Sequence, residues 1–161
     1  MSILATPETM NLFSLSKLPK LDKKIRIRAV KGLIFFNGKI LLQLRDNDPR
    51  INYPNHWGLF GGEVDQGECP NKAIRRELRE ELGIELIEET MLFSWVSKCS
   101  LAEIIFFYVK VKTEFNLLEL NEGQKMAVFY FDELDKLDLT PDIVANKDRF
   151  KSFLNGGILA R

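Results

Sequence analysis

Three acids in "AIRRELREELGIEL", residues 73–86, are crowded in a way that invites chemistry. Glu77, Glu80 and Glu81 stand at i, i+3 and i+4. On a helix such positions share a face with Cβ atoms roughly 5–6 Å apart, and like charges there repel by a few tenths of a kcal/mol per pair. Two arrangements offset that repulsion: a solvated face neutralised by Arg75, Arg76 and Arg79, or a bound metal ion. The segment upstream weighs towards the ion. Gly61-Gly62 ends a loop that can approach a ligand closely, because glycine lacks Cβ and permits unusual φ/ψ. Glu68 precedes the helix, where its carboxylate can face the positive N-terminal end. A carbonyl at the glycine turn and several carboxylates from the helix form an all-oxygen cage, which suits Mg²⁺ or Mn²⁺. His56 is the single histidine, so no His or Cys cluster supports zinc.

The helix that must carry the acids is predicted from about Pro70 to Leu82, with Pro70 tolerated in the first turn and Gly83 as its stop. Ile74, Leu78 and Leu82 form its buried stripe at i, i+4 and i+8. At 100° per residue the acidic cluster lies about a quarter-turn away, at the margin of the packed face. Ahead of it, "IRIRAVKGLIFFNGKILLQLRD" reads as two strands joined by an Asn37-Gly38 hairpin turn. The Pro-, Asn- and Gly-rich stretch that follows is a long loop with a short strand at Trp57 to Phe60. Behind the helix, "MLFSWVS", "EIIFFYVKV" and "MAVFYF" read as strands, and "PDIVANKDRFKSFL" as a second helix. A central helix between strands indicates an α/β (α+β) sandwich with a mixed sheet.

At 161 residues the chain reads as one domain, and 45% apolar with 29% charged residues is ordinary for a soluble protein. Residues 1–24 form an N-terminal arm, whose Leu12, Phe13, Leu15, Leu18 and Leu21 could dock on the body or make a homodimer. The domain proper is 25–161. Lys plus Arg equals Asp plus Glu at 23 each, so no basic field favours nucleic acid or membranes. Cys69 and Cys99 form no disulfide framework. With no signal-peptide pattern and no run of roughly 18 apolar residues, the expected location is the cytoplasm.

From Gly62 the stretch "GEVDQGECPNKAIRRELREELGI" resembles the Nudix box: Gly, five residues, Glu, seven residues, Arg-Glu, an aliphatic, any residue, Glu-Glu, any residue, Gly, an aliphatic. Gly62, Glu68, Arg76, Glu77, Leu78, Glu80, Glu81, Gly83 and Ile84 fill all nine specified positions. The resemblance implies a Nudix-type α/β/α sandwich with the box as loop-helix-loop. It also implies a Mg²⁺-dependent hydrolase that cleaves a phosphoanhydride in a nucleoside diphosphate linked to another group. On this resemblance Glu77, Glu80 and Glu81 hold Mg²⁺ (Mn²⁺ as a substitute), with the Gly61 carbonyl completing the shell. Arg76 holds a box glutamate in its rotamer, and Glu68 is a supporting acid. Glu77 is one candidate for taking the water's proton; an acid outside the box is the other. Glu122 in "LNEGQKMAVFYF" is the preferred outside acid and metal ligand, with Glu119 and Glu103 as rivals.

Arg45 resembles an arginine that reaches substrate phosphate, with an exposed strand-end charge as the alternative. Trp57 and Phe60 flank the glycines and are assigned to the substrate, although Phe60 departs from the proline many relatives carry there. Tyr53, Trp57 or Trp95 could stack on a base or belong to the core. His56 is given no chemistry. The expected substrate is a small nucleotide, either a nucleoside triphosphate or a nucleotide sugar. Two alternatives are an RNA 5′-end pyrophosphohydrolase using Lys17, Lys20, Lys23 and Lys24, and a Nudix-fold sensor without turnover.

Overall fold

A computed structural model describes residues 27–97 and 101–156. The arm, its lysines and Cys99 lie outside the described residues. Chain order is β1 (Ile27–Phe36), β2 (Lys39–Leu44), β3 (Trp57–Gly58), α1 (Pro70–Leu82), β4 (Leu86–Val96), β5 (Ala102–Val111), β6 (Lys125–Phe129) and α2 (Pro141–Asn155). The sheet is mixed, running β3-β2-β1-β5-β4 with β6 also on β2. β1 and β5 are parallel from Ile27↔Ala102 to Ile34↔Val109, and the other pairs are antiparallel.

Local chemistry explains the elements that the sequence predicts. Asn37 and Gly38 take φ of 50° and 77°, the positive pair that a two-residue hairpin turn requires. Gly83 ends α1 at φ 64°, and its N–H bonds the Arg79 carbonyl. β4 starts at Leu86, five residues before the predicted Met91, because the polar run Glu88, Glu89 and Thr90 still pairs with β5. Short 3-10 turns at Phe115–Leu117 and Phe131–Lys136 add to the expected list.

Strand alternation splits the core between the two sheet faces. Val30, Ile34, Leu41, Ile105 and Phe107 face α1, meeting Ala73, Ile74, Leu78 and Leu82. Leu33, Ile40, Leu42 and Phe106 face α2, meeting Ile143 and Phe150. The result is a helix on each face, the expected three-layer sandwich. Among the described residues no helix is long and apolar enough to cross a membrane.

β1 and β2 pair only beside the turn, at Phe35↔Ile40 and Phe36↔Lys39. Into the opening runs the segment from Phe60 to Val64. Gly32 N–H bonds Phe60 O, Val30 N–H bonds Gly62 O, and Val64 N–H bonds Arg28 O, each at 2.9 Å. The glycine pair is therefore held as a short antiparallel strand on β1, next to α1. Gly32 keeps that approach close, since a Cβ there would meet Leu78 Cδ1 at 3.3 Å.

Leu78 is fully buried between α1 and this ladder. Truncating it to Ala should cost about 2–5 kcal/mol in urea unfolding, against no more than about 0.5 kcal/mol for exposed Val144→Ala. Equal effects would contradict the placement of α1.

Candidate functional site

α1 carries its acids with graded burial. Glu81 is 5% exposed, the Glu77 side chain is largely covered, and that of Glu80 is open. Glu81 Oε2 accepts the Gly61 N–H at 2.7 Å, and Gln43 Nε2 makes a long 3.5 Å contact to its other oxygen. The glycine pair is needed sterically. Gly61 has φ 118°, and a Cβ there would lie 2.3 Å from the Val30 carbonyl. A Cβ on Gly62 would lie 2.5 Å from Glu77 Oε2, so the Glu77 carboxylate rests where a side chain would otherwise stand.

The arginines are sorted between the site and the surface. Arg76 gathers the box acids: Nη1 donates to Glu77 Oε1 at 2.7 Å, Nη2 donates to Glu68 Oε2 at 2.9 Å and to the Glu63 carbonyl at 3.0 Å, and Glu80 lies at 3.4 Å. Arg75 turns away to a forked pair with Glu89, and Arg79 to Glu85. Shared neutralisation by all three arginines is thereby corrected to Arg76 alone. Glu68 also differs from expectation. Its carboxylate is drawn to Arg76 instead of the helix start, and Cys69 at the N-cap makes no side-chain cap.

Burial raises the pKa of Glu77, opposed by the Arg76 guanidinium. Burial likewise raises Glu81, opposed by the Lys31 charge and the Gly61 N–H and reinforced by Glu122. Glu68 is lowered, chiefly by its bond to Arg76. Glu122 is exposed, one residue after Asn121, whose N–H bonds the Glu81 carbonyl. Its rival Glu103 is taken up by Arg28 across the strand pair at 2.8 Å, and Glu119 is exposed on the preceding loop.

Lys31 is the site residue that sequence reasoning missed. Its ammonium donates to the Gly61 carbonyl and, at 3.2 Å, to the Leu59 carbonyl. The Gly61 oxygen assigned to a metal shell therefore carries a lysine proton here. A charged residue inside an apolar strand, "AVKGLIFF", is the signal that could have found it.

Donor chemistry fits a hard cation: Glu77 and Glu81 are covered carboxylates four residues apart on α1, both packed on the Gly61-Gly62 turn, with Glu80 open to solvent. Among the described residues, however, no three Asp, Glu, His or Cys side chains already close around one point. An incoming cation would have to replace Lys31 at Gly61 and gather its carboxylates.

Beside Gly62 a cavity of about 280 Å³ opens on the α2 side, lined among others by Lys31, Arg45, Asn52, Tyr53, Thr140 and Asp142. Arg45 belongs there, its Nε held by the Asn52 carbonyl at 3.0 Å. Thr140 Oγ1 and Asp142 Oδ2 are buried without a hydrogen-bond partner, an unusual state for such atoms. The assignment of Phe60 to the substrate needs correction. Phe60 is fully buried in the α1-side core. Trp57 packs edge-on to Phe129 with Lys125 over its ring. Trp95 also joins the core. Tyr53 does line the cavity, edge-on to His56, whose Nδ1 lies 2.8 Å from the Pro54 carbonyl.

A raised Glu81 pKa has a signed consequence. Between the unfolded value near ~4.3 and the higher folded value, the native state holds the proton longer, so stability falls as pH rises. In chelator, wild type should lose stability relative to Glu81→Gln as pH rises above the unfolded carboxylate value, read by urea unfolding. A pH-independent difference would contradict the buried charge.

With this geometry in place, comparison with known proteins places the chain. A stretch of 63 residues is 48% identical to the nucleoside triphosphatase NudI of Salmonella arizonae and 38% identical to NudI of Escherichia coli O139:H28. Each match covers 39% of this chain, and the chain spans 45% of the length of each relative. The solution structure of the E. coli ORF135 protein is similar at TM-score 0.64 and 28% identity, over 84% of this chain and 94% of that one. A MutT NUDIX hydrolase crystal structure from Burkholderia pseudomallei gives 0.62 and 25%, over 74% and 93%. The family model described as NUDIX domain matches residues 26–151, and the chain belongs to that family.

Proposed function

We propose that this protein is a Mg²⁺-dependent pyrophosphohydrolase acting on a small nucleotide, a nucleoside triphosphate or a nucleotide sugar. The carrying observation is the pair of covered carboxylates, Glu77 and Glu81, packed on the Gly61-Gly62 turn, whose Gly62 lines a cavity that also holds Lys31 and Arg45. Acids kept at such a cost to their charge favour a cation, and the neighbouring ammonium and guanidinium favour a polyanion. The names of the NudI relatives support a nucleoside triphosphate.

Glu77 and Glu81 would hold the ion, joined by Glu80 and Glu122. Bound there, Mg²⁺ offsets phosphoryl charge and acidifies water. Arg76 keeps Glu77 in its rotamer, while the Gly61 N–H keeps Glu81 in place. Lys31 and Arg45 orient the phosphates along the cavity. Thr140 Oγ1, able to donate or accept, and Asp142 Oδ2, an acceptor, face the group beyond the diphosphate. Water attacks one phosphorus, the bridging oxygen leaves on the other phosphate, and the water proton passes to Glu77 or Glu122. Such catalysis is mostly positioning and electrostatics, with no covalent nucleophile.

Phosphate and pyrophosphate release from a panel of nucleoside triphosphates and nucleotide sugars tests the reading. Turnover should need Mg²⁺, vanish in chelator and fall roughly 10²–10³-fold in Glu81→Gln. Arg45→Ala should chiefly raise KM. Turnover unchanged by chelator or by Glu81→Gln would overturn the proposal.

A further inference from the structure

We infer that Asn121 and Gln124 form a clamp that places Glu122 beside Glu81 and ties it to the loop lining the substrate cavity. The inference rests on the reading of Glu122 as part of the cation site. Glu122 is exposed and stands between Asn121, bonded to the Glu81 main chain, and Gly123, packed on the Gln43 amide that contacts the Glu81 carboxylate.

The restraint lies in its neighbours. Asn121 grips the end of α1 twice: its N–H donates to the Glu81 carbonyl at 2.8 Å and its Nδ2 to the Glu80 carbonyl at 3.0 Å. Those carbonyls have no partner within a helix that stops at Gly83, so the contact is strongly determined. Two residues are then anchored on β2. Gly123 takes φ 90°, and a Cβ there would meet Gln43 Oε1 at 2.9 Å and the Leu44 carbonyl at 3.0 Å. The Gln124 N–H bonds that same Leu44 carbonyl at 2.8 Å.

The Gln124 side chain carries the connection onward. Its Nε2 donates to the Arg45 carbonyl at 2.7 Å and to Asn55 Oδ1 at 2.8 Å. Asn55 closes the loop that contains Asn52 and Tyr53, both on the cavity wall. The tetrapeptide 121–124 is therefore fastened to α1 on one side, and to β2 and the cavity loop on the other. Glu122 stands between these fastenings with its side chain exposed. Asn121 and Gln124 are positioning residues: they act through Glu122 and touch no reacting atom.

A plain helix cap would use the same Asn121 bonds, and a double-mutant cycle separates the two roles. Mn²⁺ affinity is measured on the full chain by electron paramagnetic resonance, for Asn121→Ala and Gln124→Ala, each alone and with Glu122→Gln. Each single change should weaken Mn²⁺ about 10-fold or more, as removal of supporting partners does. In the Glu122→Gln background each should cost less than about 2-fold. Equal losses in both backgrounds, or no loss from Glu122→Gln alone, would overturn the clamp while wild-type binding upholds the proposed function. Absence of Mn²⁺ binding in wild type would overturn both. If Asn121→Ala fails to fold, Gln124→Ala completes the cycle, because its main-chain bond to Leu44 is kept.

Discussion

The hydrogen bond from the Gly61 N–H to the Glu81 carboxylate joins every part of this protein that matters to its chemistry. On one side the donor is fixed by the ladder that lays residues 60–64 along β1. On the other the acceptor is fixed by the apolar stripe of α1, since Leu78 and Leu82 are locked in the core. Only glycine permits the donor's position, because any Cβ would strike the Val30 carbonyl. A charge-assisted bond of this kind contributes ~1.5–3 kcal/mol, whereas burying a carboxylate costs several kcal/mol. The bond alone does not offset the burial. Lys31 supplies part of the difference, and a dication would supply more.

Charge around the box is arranged for the same end. Arg76 meets Glu68, Glu77 and Glu80 at the open edge, while Arg75 and Arg79 serve Glu89 and Glu85 outside it. Had all three arginines closed on the acids, the cluster would be self-neutralised and a cation would gain little. Instead Glu81 is left with one N–H, a distant amide and a lysine that can move on its four-carbon stem. The α1 face thus combines a rigid position with incompletely matched charge, which is the condition for binding an ion strongly.

Much of the scaffold was legible because it is local. The Asn37-Gly38 turn, the Pro70-to-Gly83 helix and the apolar alternation of β5 depend on residues a few places apart. The box spacing likewise identified Glu77, Glu80, Glu81 and Arg76 as neighbours. Contacts between distant segments were not legible. Lys31 reaches Gly61 across 30 residues, and Asn121 reaches Glu80 across 41. Nothing in periodicity announces such contacts. Phe60 misled for a related reason: sequence proximity to the glycines implied exposure to ligand, but its pairing with β1 turned the ring into the core.

The central claim is that Glu81, with Glu77, is held desolvated for a divalent cation. Crystals soaked in Mn²⁺ and measured for anomalous scattering test it most directly. One strong peak is expected between the Glu77 and Glu81 carboxylates, with the Lys31 ammonium withdrawn from the Gly61 carbonyl. A saturated soak with no peak there, and Lys31 still on Gly61, would contradict it.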